Sequence, residues 1–213
     1  RDGYLRCWGD NKYRQLGGYP YSGFWTPIIT PGLTDLRAVS AGVHFNCTIR
    51  GDFTAACWGY GAHGQLGYGG TATTSAKKTV KGLASVRRID SGLYHACSLT
   101  KGGAYCWGYN VKGQLGNGSQ KGTKTPVLVK TTASFVDIAA GHNHTCAVDQ
   151  TGRVLCWGDN TYGQLGRGSA GGLSSSPGKA VFGSDPFPVP VGLCKQDADC
   201  GEDGHACTVS KCE

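Results

Sequence analysis

The sequence predicts an all-β repeat protein whose units are stacked or arranged in a circle. Cys-Trp-Gly occurs four times, and Gln-Leu-Gly follows each copy within about six residues. The cysteines of these motifs lie 50, 49 and 50 residues apart, at Cys7, Cys57, Cys106 and Cys156. Thirty-six glycines and only 16% charged residues fit short strands joined by tight turns. A conspicuous residue is therefore explained first by the repeat, and only a residue that breaks the repeat is a candidate for individual chemistry.

Each unit begins with an apolar strand that ends at a glycine. There follow Gly-x-x-His-x-Cys, a short turn, Cys-Trp-Gly, Gln-Leu-Gly and a polar loop; residues 38–60, 86–109 and 135–159 fit this order as far as Cys-Trp-Gly, with Phe45 in place of the histidine in the first of them. The segments between the two cysteines are rich in strand-forming residues and are interrupted by glycine, which predicts a β-hairpin.

The hairpins place the two cysteines of a unit opposite each other. If Cys146 faces Cys156, residues 150–152 form a three-residue loop that ends in glycine, where a left-handed residue is favoured. The middle unit is one residue shorter and needs a two-residue loop at 101–102, whereas the loop at 51–53 has its glycine first and fits less well. Opposed strand positions lie within reach of a disulfide. The predicted pairs are Cys47–Cys57, Cys97–Cys106 and Cys146–Cys156.

Eleven cysteines in 213 residues indicate a disulfide framework formed in an oxidising compartment. We therefore expect an extracellular or cell-surface protein, the alternative being buried free thiols that recur with the repeat. Zinc is not predicted because no cysteine pair has Cys-x-x-Cys spacing. Cys7 is unpaired in this chain, and its expected partner lies either about ten residues upstream, before Arg1, or on another chain. The chain is therefore interpreted as a processed or truncated piece of a longer protein.

Two regions are expected. Residues 1–192 hold the repeats, with an incomplete first unit and further units near 38–86, 86–135 and 135–185; residues 193–213 form a cysteine-rich tail. Four tail cysteines allow three pairings, of which we favour Cys194–Cys207 with Cys200–Cys212. The tail is acidic but shows no complete calcium-ligand loop, so neither a metal nor a cofactor is predicted.

Gly-x-x-His-x-Cys, Cys-Trp-Gly-x-Asn and Gly-Gln-Leu-Gly resemble the repeats of the regulator of chromosome condensation family. The resemblance covers roughly residues 1–190. In that family each repeat supplies a four-stranded blade, and seven blades commonly close a propeller. The resemblance therefore implies a partial or multichain β-propeller of about four four-stranded blades, with a small disulfide-stapled tail. The cysteine-bearing form is most similar to exported bacterial members of the family.

The family's known activities do not transfer directly, because fold alone does not define function. The founding member binds chromatin and exchanges nucleotide on the Ran GTPase, a nuclear role that does not need braced hairpins. The Gly-Trp-Arg-His-Thr motif of the plant ultraviolet-B photoreceptor is absent, and Gly42-Val43-His44-Phe45-Asn46 is one of the sequences in its place.

Charge and motifs exclude several other classes of function. The total charge is +7, and residues 1–193 carry +10 once the acidic tail is set aside. These cations are dispersed, so nucleic acid is not a predicted partner. No apolar run is long enough for a membrane span. Hydrolase, zinc-protease and phosphate-loop motifs are absent, so the chain is not predicted to be an enzyme.

The leading hypothesis is an exported scaffold that binds a protein partner or copies of itself. The alternative is a soluble inhibitor or lectin-like module that recognises an enzyme or glycan through aromatic residues of an inter-unit loop without counterparts in later units. These candidate binding residues are Tyr21, Phe24 and Trp25.

Other conspicuous residues are assigned structural roles or left as candidates. Four tryptophans are expected to pack between blades, at positions 8, 58, 107 and 157. His95 and His144 are interpreted as packing residues, because Phe45 occupies their position in the earlier unit. A metal held by His142 and His144 is not predicted, for lack of a supporting carboxylate or cysteine. Asn117, in a predicted loop, is a candidate for glycosylation.

Overall fold

The structure is a computed structural model that describes residues 4–19 and 22–181. In this part of the chain, fourteen strands form one two-stranded and three four-stranded antiparallel sheets. In chain order the strands are β1 (Arg6–Gly9), β2 (Phe24–Ile29), β3 (Leu36–Ala41), β4 (Phe45–Arg50), β5 (Ala55–Gly59), β6 (Thr74–Thr79), β7 (Arg88–Ser91), β8 (His95–Thr100), β9 (Gly103–Gly108), β10 (Thr123–Leu128), β11 (Phe135–Ala140), β12 (His144–Asp149), β13 (Val154–Asp159) and β14 (Leu173–Lys179).

Each four-stranded sheet is a simple meander in which strands adjacent in sequence are adjacent in space. The first strands of neighbouring sheets contact each other, β3 with β7 and β7 with β11. Asp90 on β7 links all three, since Ser40 Oγ donates to its Oδ1 at 2.8 Å and the Ala140 N–H donates to its Oδ2 at 2.7 Å. The predicted all-β partial propeller is confirmed.

The hairpins have the expected registers. Cys146 lies opposite Cys156, and the N–H of Gly152 at the loop end donates to Asp149 O. Gly152 has a φ of 81°, the left-handed conformation that its position requires. In the equivalent loop with glycine first, Phe53 takes this conformation, with a φ of 62°, and its ring lies 4.0 Å from the Arg37 guanidinium carbon. A cation–π contact thus accompanies the less favourable loop sequence.

The structure brings three pairs of sulfur atoms to disulfide distance, the pairs named from the sequence. The S–S distances are 2.10 Å for Cys47–Cys57, 2.15 Å for Cys97–Cys106 and 2.09 Å for Cys146–Cys156. Cys7 is free and half-buried.

Neighbouring blades are joined by one repeated contact. The buried indoles of Trp58, Trp107 and Trp157 donate through Nε1 to the carbonyl oxygens of Gln15, Gln65 and Gln114 in the preceding unit, at 2.8, 2.8 and 2.9 Å. The side chain of each of these glutamines shapes its own turn, because Oε1 accepts the N–H of the residue two positions earlier at 2.9 Å. The Gln-Leu-Gly motif therefore presents a fixed carbonyl to the next blade.

The glycine of this motif is required by close packing. At Gly67, which has a φ of 69°, a β-carbon would lie 2.7 Å from Trp107 Nε1. At Gly116 it would lie 2.6 Å from the same atom of Trp157. A larger residue at either position would separate the blades.

One of the four tryptophans departs from the prediction. Trp8 is 62% exposed, whereas the other three are fully buried. The reason is that no Gln-Leu-Gly turn precedes Trp8 within the described residues, so no carbonyl of that part of the chain is placed to accept from its indole.

Candidate functional site

Six aromatic and imidazole rings form a continuous row across the first three sheets. We call this row the ring strip; its members are Tyr13, His44, Tyr60, His63, Tyr94 and Tyr109. Neighbouring ring centroids lie between 4.6 Å, for His63 and Tyr94, and 6.4 Å, for Tyr94 and Tyr109. All six side chains are half-buried, so the strip forms part of the protein surface.

Three positions of the repeat supply these rings. His44 and Tyr94 lie in the turn between the first and second strands of their sheets, and Tyr60 and Tyr109 directly follow the third strands. A backbone bond joins the two positions within each sheet, from the Tyr60 N–H to His44 O at 2.9 Å and from the Tyr109 N–H to Tyr94 O at 2.8 Å. The blade framework thus holds these backbone positions rigidly.

The third position stands two residues before the glutamine of Gln-Leu-Gly, and it carries the strip across each boundary between blades. Tyr13 reaches from the first sheet to His44 and Tyr60, with both centroids 4.7 Å away. His63 reaches from the second sheet to Tyr94 and Tyr109, at 4.6 and 5.1 Å. The Gln15 and Gln65 side chains fix the main chain at these two residues.

The rings are inclined to one another by 42–83°, so they do not form a single flat platform. Tilted and T-shaped arrangements are favoured for aromatic pairs because the ring edge is positive and the face negative. The strip therefore combines half-buried rings at different inclinations with the hydroxyl and imidazole groups that they carry.

The same three positions are polar at the third boundary between blades. There Lys112, Asn143 and Asp159 replace the rings, and Lys112 Nζ lies 3.6 Å from Asp159 Oδ1. Burial would raise the pKa of Asp159, but hydrogen bonds from Thr161 and the charge of Lys112 hold that pKa below its usual range. Asp159 is therefore ionised at neutral pH, and this boundary is closed by an ion pair.

At the boundary between the second and third sheets, where rings replace the polar residues, a buried hydrogen-bond donor has no partner among the described residues. The side-chain Nε2 of Gln15 donates to Asp10 at 2.9 Å, and that of Gln114 donates to Asn143 at 3.3 Å. Gln65 is fully buried, and its Nε2 has no hydrogen-bond partner among the described residues. Tyr60 and Tyr94 occupy the positions that Asp10 and Asn143 hold in the other units. The rings therefore replace groups that would satisfy this donor, a loss of about 1 kcal/mol or more.

Another unpaired buried group is found on the second strand of the third sheet. His95 is fully buried, and its Nε2 lies 2.9 Å from Thr145 Oγ1, which donates its own hydrogen to Gln114 O at 2.9 Å. Nε2 must then be the protonated nitrogen, and Nδ1 has no partner within the described part of the chain. Burial, with a smaller contribution from His144, lowers the pKa of His95 to about 3.

We predict that His95 makes the protein sensitive to mild acid. Above pH 6.5 the imidazole is neutral in both the native and the unfolded state. Below pH 6.5 the unfolded chain binds a proton that the native state does not bind until about pH 3, so the free energy of unfolding decreases as the pH is lowered. At pH 5 this group should lower the free energy of unfolding by about 2 kcal/mol. His95→Phe, which introduces the residue type found at the equivalent position 45, should remove that loss, as measured by urea unfolding at pH 7 and pH 5. Exposed His142→Gln should retain it, and equal losses in wild type and His95→Phe would contradict the assignment.

The binding residues named from the sequence lie elsewhere. Phe24 and Trp25 belong to β2 and not to a loop, because Phe24 pairs with Gly9 and the ladder continues to Ile29. Trp25 is 99% exposed beside a groove of about 490 Å³ that also includes Asp10. Tyr21 lies outside the described residues.

The remaining candidates stay predictions. The tail cysteines Cys194, Cys200, Cys207 and Cys212 lie outside the described residues. Asn117 is half-buried in the loop between β9 and β10, where its Oδ1 accepts from the N–H and hydroxyl of Ser119. Residues 4–19 and 22–181 contain no group of three His, Cys, Asp or Glu side chains that would hold a metal ion.

The repeat geometry agrees with comparisons to known proteins. Two models of the regulator of chromosome condensation (RCC1) repeat match this chain, one over residues 101–148 and 151–207 and the other over 86–114 and 135–164. The chain belongs to the RCC1 repeat family. Across the part of the chain that the structure describes, no helix is both long and apolar enough to cross a membrane.

Solved structures of this fold are similar over most of the described chain. Yeast RCC1 (Prp20), bound to Kap60, superposes with a TM-score of 0.77 at 21% identity, covering 86% of this chain and 46% of that one. Human WBSCR16 gives 0.75 at 20% identity, covering 85% and 49%. At these identities the likeness establishes the fold alone.

Sequence relatives match about half of this chain. The mitochondrial RCC1 domain-containing protein RUG3 of Arabidopsis thaliana is 29% identical over 107 residues, which is 48% of this chain and 24% of RUG3. The human E3 ubiquitin-protein ligase HERC2 is 31% identical over 104 residues, 47% of this chain and 2% of HERC2. The matched segment is therefore a minor part of each of these proteins.

The ring strip was not identified from the sequence. Tyr60 and Tyr109 stand where Asp10 and Asp159 stand in the other units, but that substitution alone does not indicate a site. Comparing all three repeat positions between units would have shown that aromatic residues replace polar ones together at two boundaries.

Proposed function

We propose that this chain is an exported, non-catalytic scaffold, located outside the cell or at its surface, that binds a protein partner through the ring strip. The observation that carries the proposal is the combination of six half-buried rings with the unsatisfied Gln65 donor beneath them. Local sequence choices that weaken stability are characteristic of functional positions. The polar third boundary shows that the fold does not need rings there.

The chemistry of the strip favours a protein over a sugar. Tyrosine is enriched at protein interfaces, since it supplies a large apolar surface with a hydroxyl at its tip. The rings of the strip are half-buried and inclined to one another, whereas stacking of a sugar needs an open ring face. Prp20 has been crystallised with Kap60, and its binding to Gsp1p and histones is described, so relatives of this fold take protein partners.

The sulfur pairs support an exported location. Three hairpins each place two sulfurs at disulfide distance, and four of these six cysteines are fully buried. Stable disulfides of this kind form in oxidising compartments and are rare in the cytosol.

The test exchanges rings for the polar residues of the other units. Tyr60→Asp combined with Tyr94→Asn supplies acceptors of the type that Gln15 and Gln114 use, so we expect stability within about 1 kcal/mol of wild type. Wild type and the double variant are immobilised in parallel and exposed to extracellular proteins of the source organism. Proteins that bind through the strip should be at least about tenfold depleted on the variant, as quantified by mass spectrometry.

The matched control is Trp25→Ala, which removes an exposed ring outside the strip and should retain every partner. Equal recovery on wild type and on the folded double variant would contradict binding through the strip. A partner that is lost from Trp25→Ala alone would transfer binding to the Trp25 groove.

A glycan-binding role is the second candidate, and Trp25 is the observation that favours it. Its ring is 99% exposed beside Asp10, and an open indole face near a carboxylate suits sugar stacking and hydrogen bonding. A glycan array probed with wild type and Trp25→Ala tests this role. Glycan binding that Trp25→Ala abolishes and Tyr60→Asp/Tyr94→Asn retains would establish the second candidate.

A further inference from the structure

We propose that Tyr13 and Tyr60 form an oxidative modification site, at which a carbon–carbon bond joins the two phenol rings and links the first sheet covalently to the second. The reagent that this site takes is a one-electron oxidant of phenols that draws on hydrogen peroxide. The proposal does not depend on binding of a partner by the ring strip.

The first observation is the contact between the two phenol rings. Tyr13 lies in the turn after β1, and Tyr60 directly follows β5 of the next sheet. Their ring centroids lie 4.7 Å apart, and the ring planes are inclined by 60°. The other tyrosine pairs of the strip have longer centroid distances, 5.6 Å for Tyr60 and Tyr94 and 6.4 Å for Tyr94 and Tyr109. Tyr13 and Tyr60 are therefore the two phenols of the strip that lie nearest to each other.

The second observation is that the turn carrying Tyr13 is tied to the sheet carrying Tyr60. Within this turn the Tyr13 N–H donates to Gln15 Oε1 at 2.9 Å. Gln15 O in turn accepts two hydrogen bonds from the second sheet, from Trp58 Nε1 at 2.8 Å and from Asn46 Nδ2 at 2.7 Å. These bonds cross the boundary between the sheets and hold the two rings in register. Groups held in contact react far faster than groups that must meet by diffusion.

The third observation concerns where covalent links already lie. Each of the three disulfides joins two adjacent strands of one sheet, and among the described residues no disulfide crosses from one sheet to another. A bond between Tyr13 and Tyr60 would cross the boundary between the first and second sheets. It would close a long loop of the chain and so restrict the unfolded state, as a disulfide does.

The chemistry needs two electrons to be removed from the pair of phenols. Both rings are half-buried, so part of each is accessible to a small oxidant. Each phenol loses one electron and its hydroxyl proton, and the two phenoxyl radicals combine at ring carbons adjacent to the oxygens. The hydrogens on those carbons are then released as protons while both oxygens are reprotonated, which restores the aromatic rings. The two electrons and two protons lost overall reduce hydrogen peroxide to two water molecules.

The test oxidises the full chain, with free thiols alkylated beforehand, in a solution dilute enough that contacts between chains are rare. The oxidant is tris(bipyridine)ruthenium(II) with persulfate under a light pulse, and persulfate accepts the two electrons. Monomer is isolated by gel filtration, and its tyrosine-linked peptides are quantified by mass spectrometry. We expect the Tyr13–Tyr60 link to be at least about threefold more abundant than any other link within the chain. The same treatment in urea that unfolds the chain should remove this preference.

Two phenylalanine variants separate the proposed pair from the other tyrosines. Tyr13→Phe keeps a ring at the boundary and removes the phenol, so the dityrosine fluorescence of the monomer should fall at least about threefold. Tyr162→Phe is the matched control, because Tyr162 also stands two residues before the glutamine of Gln-Leu-Gly but is 88% exposed. This control should retain the fluorescence of wild type.

Two results would overturn the proposal. One is a Tyr13–Tyr60 link that is no more abundant in the folded chain than in urea. The other is monomer fluorescence that Tyr13→Phe leaves at the level of wild type.

Discussion

Trp107→Ala is expected to lower the free energy of unfolding by about 4 kcal/mol. The indole is fully buried between the second and third sheets, and its Nε1 donates to Gln65 O at 2.8 Å. Alanine would leave a cavity and an unsatisfied carbonyl at the same boundary. Urea unfolding followed by far-ultraviolet circular dichroism measures the difference.

Trp8→Ala is the matched control, because Trp8 occupies the same repeat position and is 62% exposed. We expect its loss to stay below about 1 kcal/mol, as for most exposed positions. Similar losses for the two variants would show that contact with the preceding Gln-Leu-Gly turn does not stabilise the array.

Replacing both cysteines of the third sheet, in Cys97→Ala/Cys106→Ala, is expected to lower the free energy of unfolding by about 2–3 kcal/mol. The bond closes a loop with a sequence separation of 9, and loop-closure entropy of the unfolded chain gives this magnitude. Thermal or urea unfolding in a buffer that contains neither an oxidant nor a reductant measures this loss of stability. Cys7→Ala controls for loss of a thiol and should be nearly neutral, since Cys7 is free.

The three bonds should also differ in their rates of reduction. Cys47, Cys57, Cys97 and Cys106 are fully buried, whereas Cys146 is half-buried. A native chain treated with dithiothreitol and alkylated at intervals should therefore lose Cys146–Cys156 first. Simultaneous loss of all three bonds would indicate global unfolding as the route to reduction instead.

Sequence reasoning was most successful where structure is local. The distance between Cys146 and Cys156 and the position of Gly152 were enough to define a hairpin register, because a strand has a period of two and a tight loop allows few lengths. The exception at Phe53 is also local: a phenylalanine occupies a position that favours glycine.

Sequence reasoning failed where residues of different units meet. Tyr13, His44 and Tyr60 are separated along the chain and occupy three different repeat positions, so no single motif contains them. Their contact depends on how one blade packs against the next. The assignment of Phe24 and Trp25 to a loop failed for a related reason, since β2 is defined by pairing with β1 and not by its own composition.

The bond from each buried tryptophan to the preceding glutamine carbonyl has a direction: within the described residues the second, third and fourth sheets donate toward the start of the chain, and the first three sheets accept from the sheet that follows. The acceptor is a main-chain carbonyl oxygen, so any unit that keeps the Gln-Leu-Gly turn supplies it, whatever its other side chains are. A unit of about 50 residues could thus be duplicated or deleted as a block with every such link re-formed at the new junction. Gene duplication can consequently change the number of blades without redesign of the contacts between them. Surface positions such as those of the ring strip can meanwhile diversify in each unit separately.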